Sequence, residues 1–178
     1  MIAIIDYGMG NLRSVEKALE KVGADVLVTQ SKDEIEAANK LVLPGVGAIK
    51  PAVEKLASLN LIDSIKESIS QNKPFLGICL GYQILFERSD EGTDAKGLGI
   101  LKGDVKKFDS LKIPQIGWNQ ITIQQKDCPI FSGIENESNF YFCHSYYTDP
   151  EDKSIIATTT NYGKKYASSI ATKNIFGV

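Results

Sequence analysis

Apolar residues gather in short unbroken runs through the first half of the chain and spread into alternating patterns through the second. Residues 2–6 (IAIID), 25–29 (DVLVT), 40–44 (KLVLP) and 74–78 (PFLGI) are runs of the buried-strand kind. Between them the period changes to that of a helix. Asn11 stands where a cap belongs, and Leu12, Val15, Leu19 and Val22 fall on one face of a helix reaching to Gly23. A polar stretch with a weak helical pattern precedes residue 40. Residues 49–71 read as two helical pieces joined near Ser58–Asn60, with Leu61, Ile62, Ile65 and Ile69 keeping the period of the second. A further helix is expected from Leu80 to Arg88. Strand and helix alternate, which predicts parallel βαβ units with right-handed crossovers.

After Gly92 the texture becomes β-rich. GLGIL, DVKKF, NQITI, FYFC, SIIATTT, YASSIAT and NIFGV read as short strands, and Asn161-Tyr162-Gly163 marks a turn between two of them. No linker, repeat or low-complexity segment divides the chain. One α/β domain over residues 1–178, with a mostly parallel sheet and a β-rich second half, is the expected architecture.

Composition narrows the functional classes. With 43% apolar residues, 24% charged residues and a net charge of −2, the chain offers no basic surface for nucleic acid or an anionic membrane. Its apolar runs are too short to span a bilayer, and the start has no signal-peptide pattern. Three cysteines without framework spacing point to free thiols in a reducing cytoplasm, and a single histidine without a CxxC pair excludes an ordinary zinc site.

The chemistry concentrates at Gly77-Ile78-Cys79-Leu80-Gly81. This is the spacing of a G-x-S-x-G nucleophile elbow with sulfur in place of oxygen. Small neighbours let the chain bend and a substrate approach. The N–H groups of the following helix would favour thiolate, and the Leu80 N–H can meet an oxyanion. A small buried cysteine at the end of a core strand fits the same spacing equally well. Pro44-Gly45-Val46-Gly47 follows another buried strand, so its N–H groups would lie at the same sheet end as Cys79, or merely connect strand to helix. Gly8-Met9-Gly10 begins a dinucleotide fingerprint, but Arg13 stands where the third glycine belongs, so a tight turn is the better reading. Cys143 and His144, adjacent on one strand, point to opposite faces and do not form a dyad. Cys128 reads as an incidental thiol. Trp118 fits a core or a binding surface, and His144 a structural residue or a distant neighbour of Cys79.

Taken together, IIDYGMGNL, LPGVGA, GICLGYQILFERSDE, IPQIGWN and FYFCHSYY resemble, in this order and at these intervals, the class I glutamine amidotransferases. Within them the closer resemblance is to the glutaminase subunits of imidazole glycerol phosphate synthase. The resemblance implies a three-layer, flavodoxin-like α/β fold. It implies hydrolysis of glutamine through a thioester on Cys79, with Leu80 and Val46 as oxyanion donors, the Val46 peptide reorienting to complete the hole. It further implies that Gly45, Gly47, Gln83, Ser145 and Tyr146 hold glutamine, and that Asn11 and Trp118 face a (β/α)8-barrel cyclase. No cofactor and no metal is implied. The ammonia would pass through a sheltered route to that cyclase, which makes imidazole glycerol phosphate and aminoimidazole carboxamide ribotide in histidine biosynthesis.

Two departures stand out. Gln115 occupies a position where many members of the family carry histidine, read here as a tolerated change in an interface motif. The family's catalytic histidine and glutamate lie in a Gln-Phe-His-Pro-Glu segment after a strand resembling NIFGV, and the sequence stops at Val178. The expectation is therefore a fragment lacking its C-terminal end, with little activity of its own. The competing readings are a paralogue feeding another synthase, such as a sugar amidotransferase, and a partner-binding subunit without chemistry.

Overall fold

The structure, a computed structural model, describes residues 1–178. Parallel strands form where the unbroken apolar runs lie: β1 (Ile2–Ile5), β2 (Val26–Thr29), β3 (Lys40–Gly45) and β4 (Phe75–Cys79). The connecting helices are α1 (Leu12–Lys21), α2 (Lys32–Ala37), α3 (Ile49–Ser58) and α4 (Leu61–Ser70). In α4, Leu61, Ser64, Ile65, Ser68 and Ile69 are buried, the i, i+3, i+4, i+7, i+8 stripe of a helix laid on a core. α1 ends one residue before Val22, which is 79% exposed rather than part of the apolar face. Gly23, at φ +83°, stops the helix, and its N–H and that of Ala24 close onto the carbonyls of Glu20 and Leu19.

The expected helix from Leu80 to Arg88 is cut short. α5 spans only Leu80–Gln83, and β5 (Phe86–Ser89) follows almost at once. Ile84, Leu85 and Phe86 are all fully buried, a run that a helix with one solvent face cannot bury. The GLGIL segment is mostly a loop: Leu98 and Ile100 donate to the carbonyls of Ile84 and Leu85, and only Leu101 enters β6 (Leu101–Lys107). The remaining strands are β7 (Gln115–Gln120), β8 (Thr122–Ile123), β9 (Asn139–His144), β10 (Tyr146–Pro150), β11 (Ile156–Tyr162), β12 (Lys164–Thr172) and β13 (Ile175–Gly177).

An 11-stranded sheet runs β2-β1-β3-β4-β13-β12-β10-β6-β5, with β11 on β12 and β8 on β11. From β2 to β13 every pairing is parallel; β12 and β10 then pair antiparallel. The helices flank this sheet, giving the three-layer α/β arrangement that the sequence implied. β7 and β9 form a separate antiparallel pair. The main core joins β1, β3 and β4, the helices α2 to α5 and the start of β5, including Ile5, Leu43, Leu56, Ile65, Phe75 and Phe86. A smaller cluster of Ile121, Cys128, Phe131, Ala157 and Ala171 lies under the β-rich half.

The turn from β4 into α5 depends on close backbone approach. A Cβ on Gly81 would run into the Leu43 carbonyl of β3, and one on Gly77 would come within 2.6 Å of the Gly81 carbonyl oxygen. Replacing Gly81→Ala is therefore expected to destabilise the fold by about 2–4 kcal/mol, read by urea unfolding.

Candidate active site

The C-terminal ends of β3, β4 and β13 converge at Cys79. Pro44 pairs with Ile78 and Gly45 with Cys79, so the Pro44–Gly47 loop and the elbow leave the sheet side by side. On the other flank the Cys79 N–H donates to the Val178 carbonyl at 2.7 Å, and the Val178 N–H to the Gly77 carbonyl at 3.0 Å. Cys79 itself has φ +53° and ψ −111°, outside the regions that L-residues normally occupy. A cysteine held there is strained, as a nucleophile elbow requires.

Cys79 opens onto a cavity of about 430 Å³. Leu76, Ile78, Phe140 and Phe142 contribute apolar walls, and Gln83, Tyr146 and Ser168 polar ones. Gln83, Tyr146 and Cys79 are thus brought together, and the Gln83 Nε2 donates to the Tyr146 carbonyl at 3.2 Å. Gly45, Val46, Gly47 and Leu80 do not line this cavity. Val46 is 55% exposed, and Gly47 has φ +101°. Ser145 lies between β9 and β10, where its carbonyl accepts the Phe108 N–H. Asn11 caps α1, accepting the Ser14 N–H at 3.4 Å. Trp118 is 73% exposed and packs edge-on to Tyr141 across the β7–β9 pair, so it is a surface aromatic.

Electrostatics at the sulfur run against the expectation of a thiolate stabilised by a helix. Burial pushes the Cys79 thiol pKa up; the Leu80 N–H pulls it down, and Cys143 pushes it up further. The residue is exposed on its cavity side, but protein packs around the rest of it. α5 is a single turn, and so short a helix offers little dipole to oppose the desolvation.

His144 shares the cavity yet has no free nitrogen to serve Cys79. Nδ1–H donates to the Tyr146 carbonyl at 2.8 Å, and Nε2 accepts from the Tyr166 hydroxyl at 3.2 Å, with the Gln115 Oε1 packed beside it at 3.0 Å. The rings of Phe108, Phe142 and Tyr166 surround it. Burial lowers its pKa, so it stays neutral. Gln115, read from the sequence as an interface variation, is instead 3% exposed and belongs to this internal network.

Two further residues escaped the sequence reading. Glu91 accepts the Ile49 N–H at 2.5 Å, capping α3, whose own cap position is Ala48. It thereby ties the turn after β5 to the helix that follows the Val46 loop. Tyr7 is fully buried with an unpartnered hydroxyl close to Gly45. Glu91 lies 42 residues from its partner, so no local pattern announces it.

With a sheet whose strand ends carry a strained cysteine between glycines, the chain fits one family of hydrolases. The family model for class I glutamine amidotransferases matches residues 3–178. The chain belongs to the class I glutamine amidotransferase family. It is 51% identical over 178 residues to imidazole glycerol phosphate synthase subunit HisH of Pyrococcus furiosus, covering 99% of this chain and 88% of the relative. It is 49% identical over 177 residues to the subunit of the same name from Methanocaldococcus jannaschii, with coverage of 99% and 88%. Among solved structures, PurLQS from Thermotoga maritima superposes with a TM-score of 0.73 at 19% identity, covering 99% of this chain and 84% of that one. A crystal structure described as a glutamine amidotransferase gives a TM-score of 0.78 at 13% identity, with coverage of 99% and 88%. These last two likenesses establish the fold.

Two outcomes follow from the geometry. Cys79→Gly is expected to raise stability by about 1–2 kcal/mol in denaturant unfolding by releasing the positive-φ strain, whereas Cys79→Ala brings no such gain. His144 is held neutral in the fold but binds a proton in the unfolded chain below about pH 6.5. Stability should therefore fall as pH drops from 6.5 toward the lowered folded pKa, by up to about 1.4 kcal/mol per pH unit, and His144→Gln should flatten that slope.

Proposed function

We infer that this chain is the glutaminase subunit of an imidazole glycerol phosphate synthase. It hydrolyses glutamine to glutamate and ammonia, and the ammonia passes to a (β/α)8-barrel cyclase subunit in histidine biosynthesis. The observation that carries the reading is the strained Cys79 elbow in a chain 51% identical to a HisH subunit along nearly its whole length.

The proposed chemistry follows from the residues around the elbow. The Cys79 sulfur attacks the side-chain amide carbon of glutamine, forming a C–S bond and a tetrahedral oxyanion. The N–H groups of Leu80 and Val46 are the proposed donors to that oxyanion; support comes from their positions immediately after the paired residues Cys79 and Gly45. The C–N bond then breaks, nitrogen leaves as ammonia with the thiol's proton, and a thioester remains. Water attacks the thioester, releases glutamate and returns the proton to sulfur. Gly45, Gly47, Gln83, Ser145 and Tyr146 are proposed to hold the amino-acid part of glutamine. Asn11 and the exposed Trp118 are proposed to face the cyclase.

A thiol whose pKa is raised needs a proton acceptor, and the nitrogens of His144 are engaged. We place that acceptor in a histidine-bearing segment following β13. Supporting this route is the hydrogen bond from Cys79 N–H to the Val178 carbonyl, which brings any continuation of β13 past the sulfur. The test is steady-state glutamine hydrolysis with the cyclase present. The 178-residue chain is compared with the same chain carrying a Gln-Phe-His-Pro-Glu segment after Val178. The extended chain should be faster by about 10³-fold or more, and Cys79→Ala should abolish its turnover. Equal rates would put the acceptor within these residues, and turnover surviving Cys79→Ala would overturn the nucleophile assignment.

A further inference from the structure

Tyr7 lies just beyond β1 and is fully buried, yet its hydroxyl has no hydrogen-bond partner. A buried polar group without a partner destabilises a fold, so one that persists calls for a reason other than packing. Its location supplies one. A Cβ on Gly45 would overlap the Tyr7 hydroxyl, and that same point is 3.0 Å from the Leu80 Cβ and 3.2 Å from the Gly81 nitrogen. Gly45 is the residue paired with Cys79. The hydroxyl is therefore lodged beneath the elbow, in the space that the missing side chain of Gly45 leaves open.

The phenol cannot itself ionise there. Burial, with Cys79 acting in the same direction, pushes its pKa up, so it remains a donor throughout the working range. The other groups about the sulfur offer little positive charge. Leu80 contributes its N–H, Cys143 a thiol, His144 a neutral ring, and Tyr82 and Tyr146 phenols. Val178 contributes only main chain, its carbonyl accepting the Cys79 N–H.

We propose that Tyr7 is a positioning residue for Cys79: its hydroxyl, unpartnered while the sulfur is a neutral thiol, turns its hydrogen toward the sulfur's charge when the thiolate forms and so makes the nucleophile easier to generate. Gly45 is what leaves room for it, which links the loop carrying Val46 to the ionisation of Cys79. The proposal rests on Cys79 being the nucleophile, and it makes the unpartnered hydroxyl a feature of the resting state alone.

The experiment is the pH dependence of iodoacetamide alkylation in the intact chain, from pH 6 to pH 10, wild type against Tyr7→Phe. The Cys79 and Cys143 peptides are followed separately by mass spectrometry, and thermal melting is recorded in parallel. The Cys79 profile should move about one pH unit upward in the variant while the Cys143 profile stays in place. Melting should be unchanged or higher, since removing an unpartnered hydroxyl leaves nothing unsatisfied. Coincident Cys79 profiles would overturn the proposal. So would a variant that melts lower or fails to fold, because the hydroxyl would then be partnered in the resting fold. Glutamine takes no part in the assay, so an error in the glutaminase reading would leave its outcome unchanged.

Discussion

Backbone approaching backbone at distances that only glycine permits is the constraint on which the Cys79 end of the sheet depends. β4 must turn into α5 within one residue, and α5 must then lie back across β3 and β13. Gly81 gives way to the Leu43 carbonyl, Gly77 to the returning chain at Gly81, and Gly177 to the Tyr82 ring. Any side chain at these places would lift α5 off the sheet. The strain at Cys79 is the local cost of so sharp a turn, and parallel pairing on both flanks of β4 holds it in place. The same constraint fixes the neighbours of the sulfur, because whatever follows β3 and β13 leaves the sheet beside it.

The elbow delivers the sulfur to the surface of a cavity without activating it. A single helical turn has little dipole, and burial of the cysteine's inner side outweighs the one N–H that Leu80 offers. A site of this kind forms its nucleophile on demand, through a proton acceptor and through donors that respond to charge. His144 is ruled out as that acceptor by its own hydrogen bonds. It ties β9 to β10, while Gln115 and Tyr166 enclose its other side. Its neutral ring is a structural pin in the wall of the cavity.

The β-rich half holds that wall in position. β10 pairs with β12 and β6, and the Tyr146 carbonyl at its start receives both Gln83 from the elbow helix and His144 from β9. The β7–β9 pair, which carries the exposed Trp118 and Ile116, is thus joined by hydrogen bonds through the Tyr146 carbonyl to the helix beside Cys79. Glu91 makes a corresponding connection on the other side, from the turn after β5 to the start of α3 and so to the Val46 loop.

The sequence by itself determined the parallel strands β1 to β4, the four helices between and around them, and the elbow at Cys79, because each rests on a local period or on glycine spacing. The motifs quoted along the chain also carried the family. Patterns of this range failed where burial overrode them. Three consecutive buried residues at Ile84–Phe86 ended the expected helix after one turn and led into β5, and most of GLGIL became a loop hydrogen-bonded to Ile84 and Leu85. Only the tertiary structure decided that β13 inserts beside β4, that Gln115 faces inward to His144, that Glu91 caps a helix 42 residues away, and that Tyr7 reaches the underside of the elbow. Those contacts join residues with no shared period. Their energies depend on packing and desolvation at distances along the chain that no local pattern records.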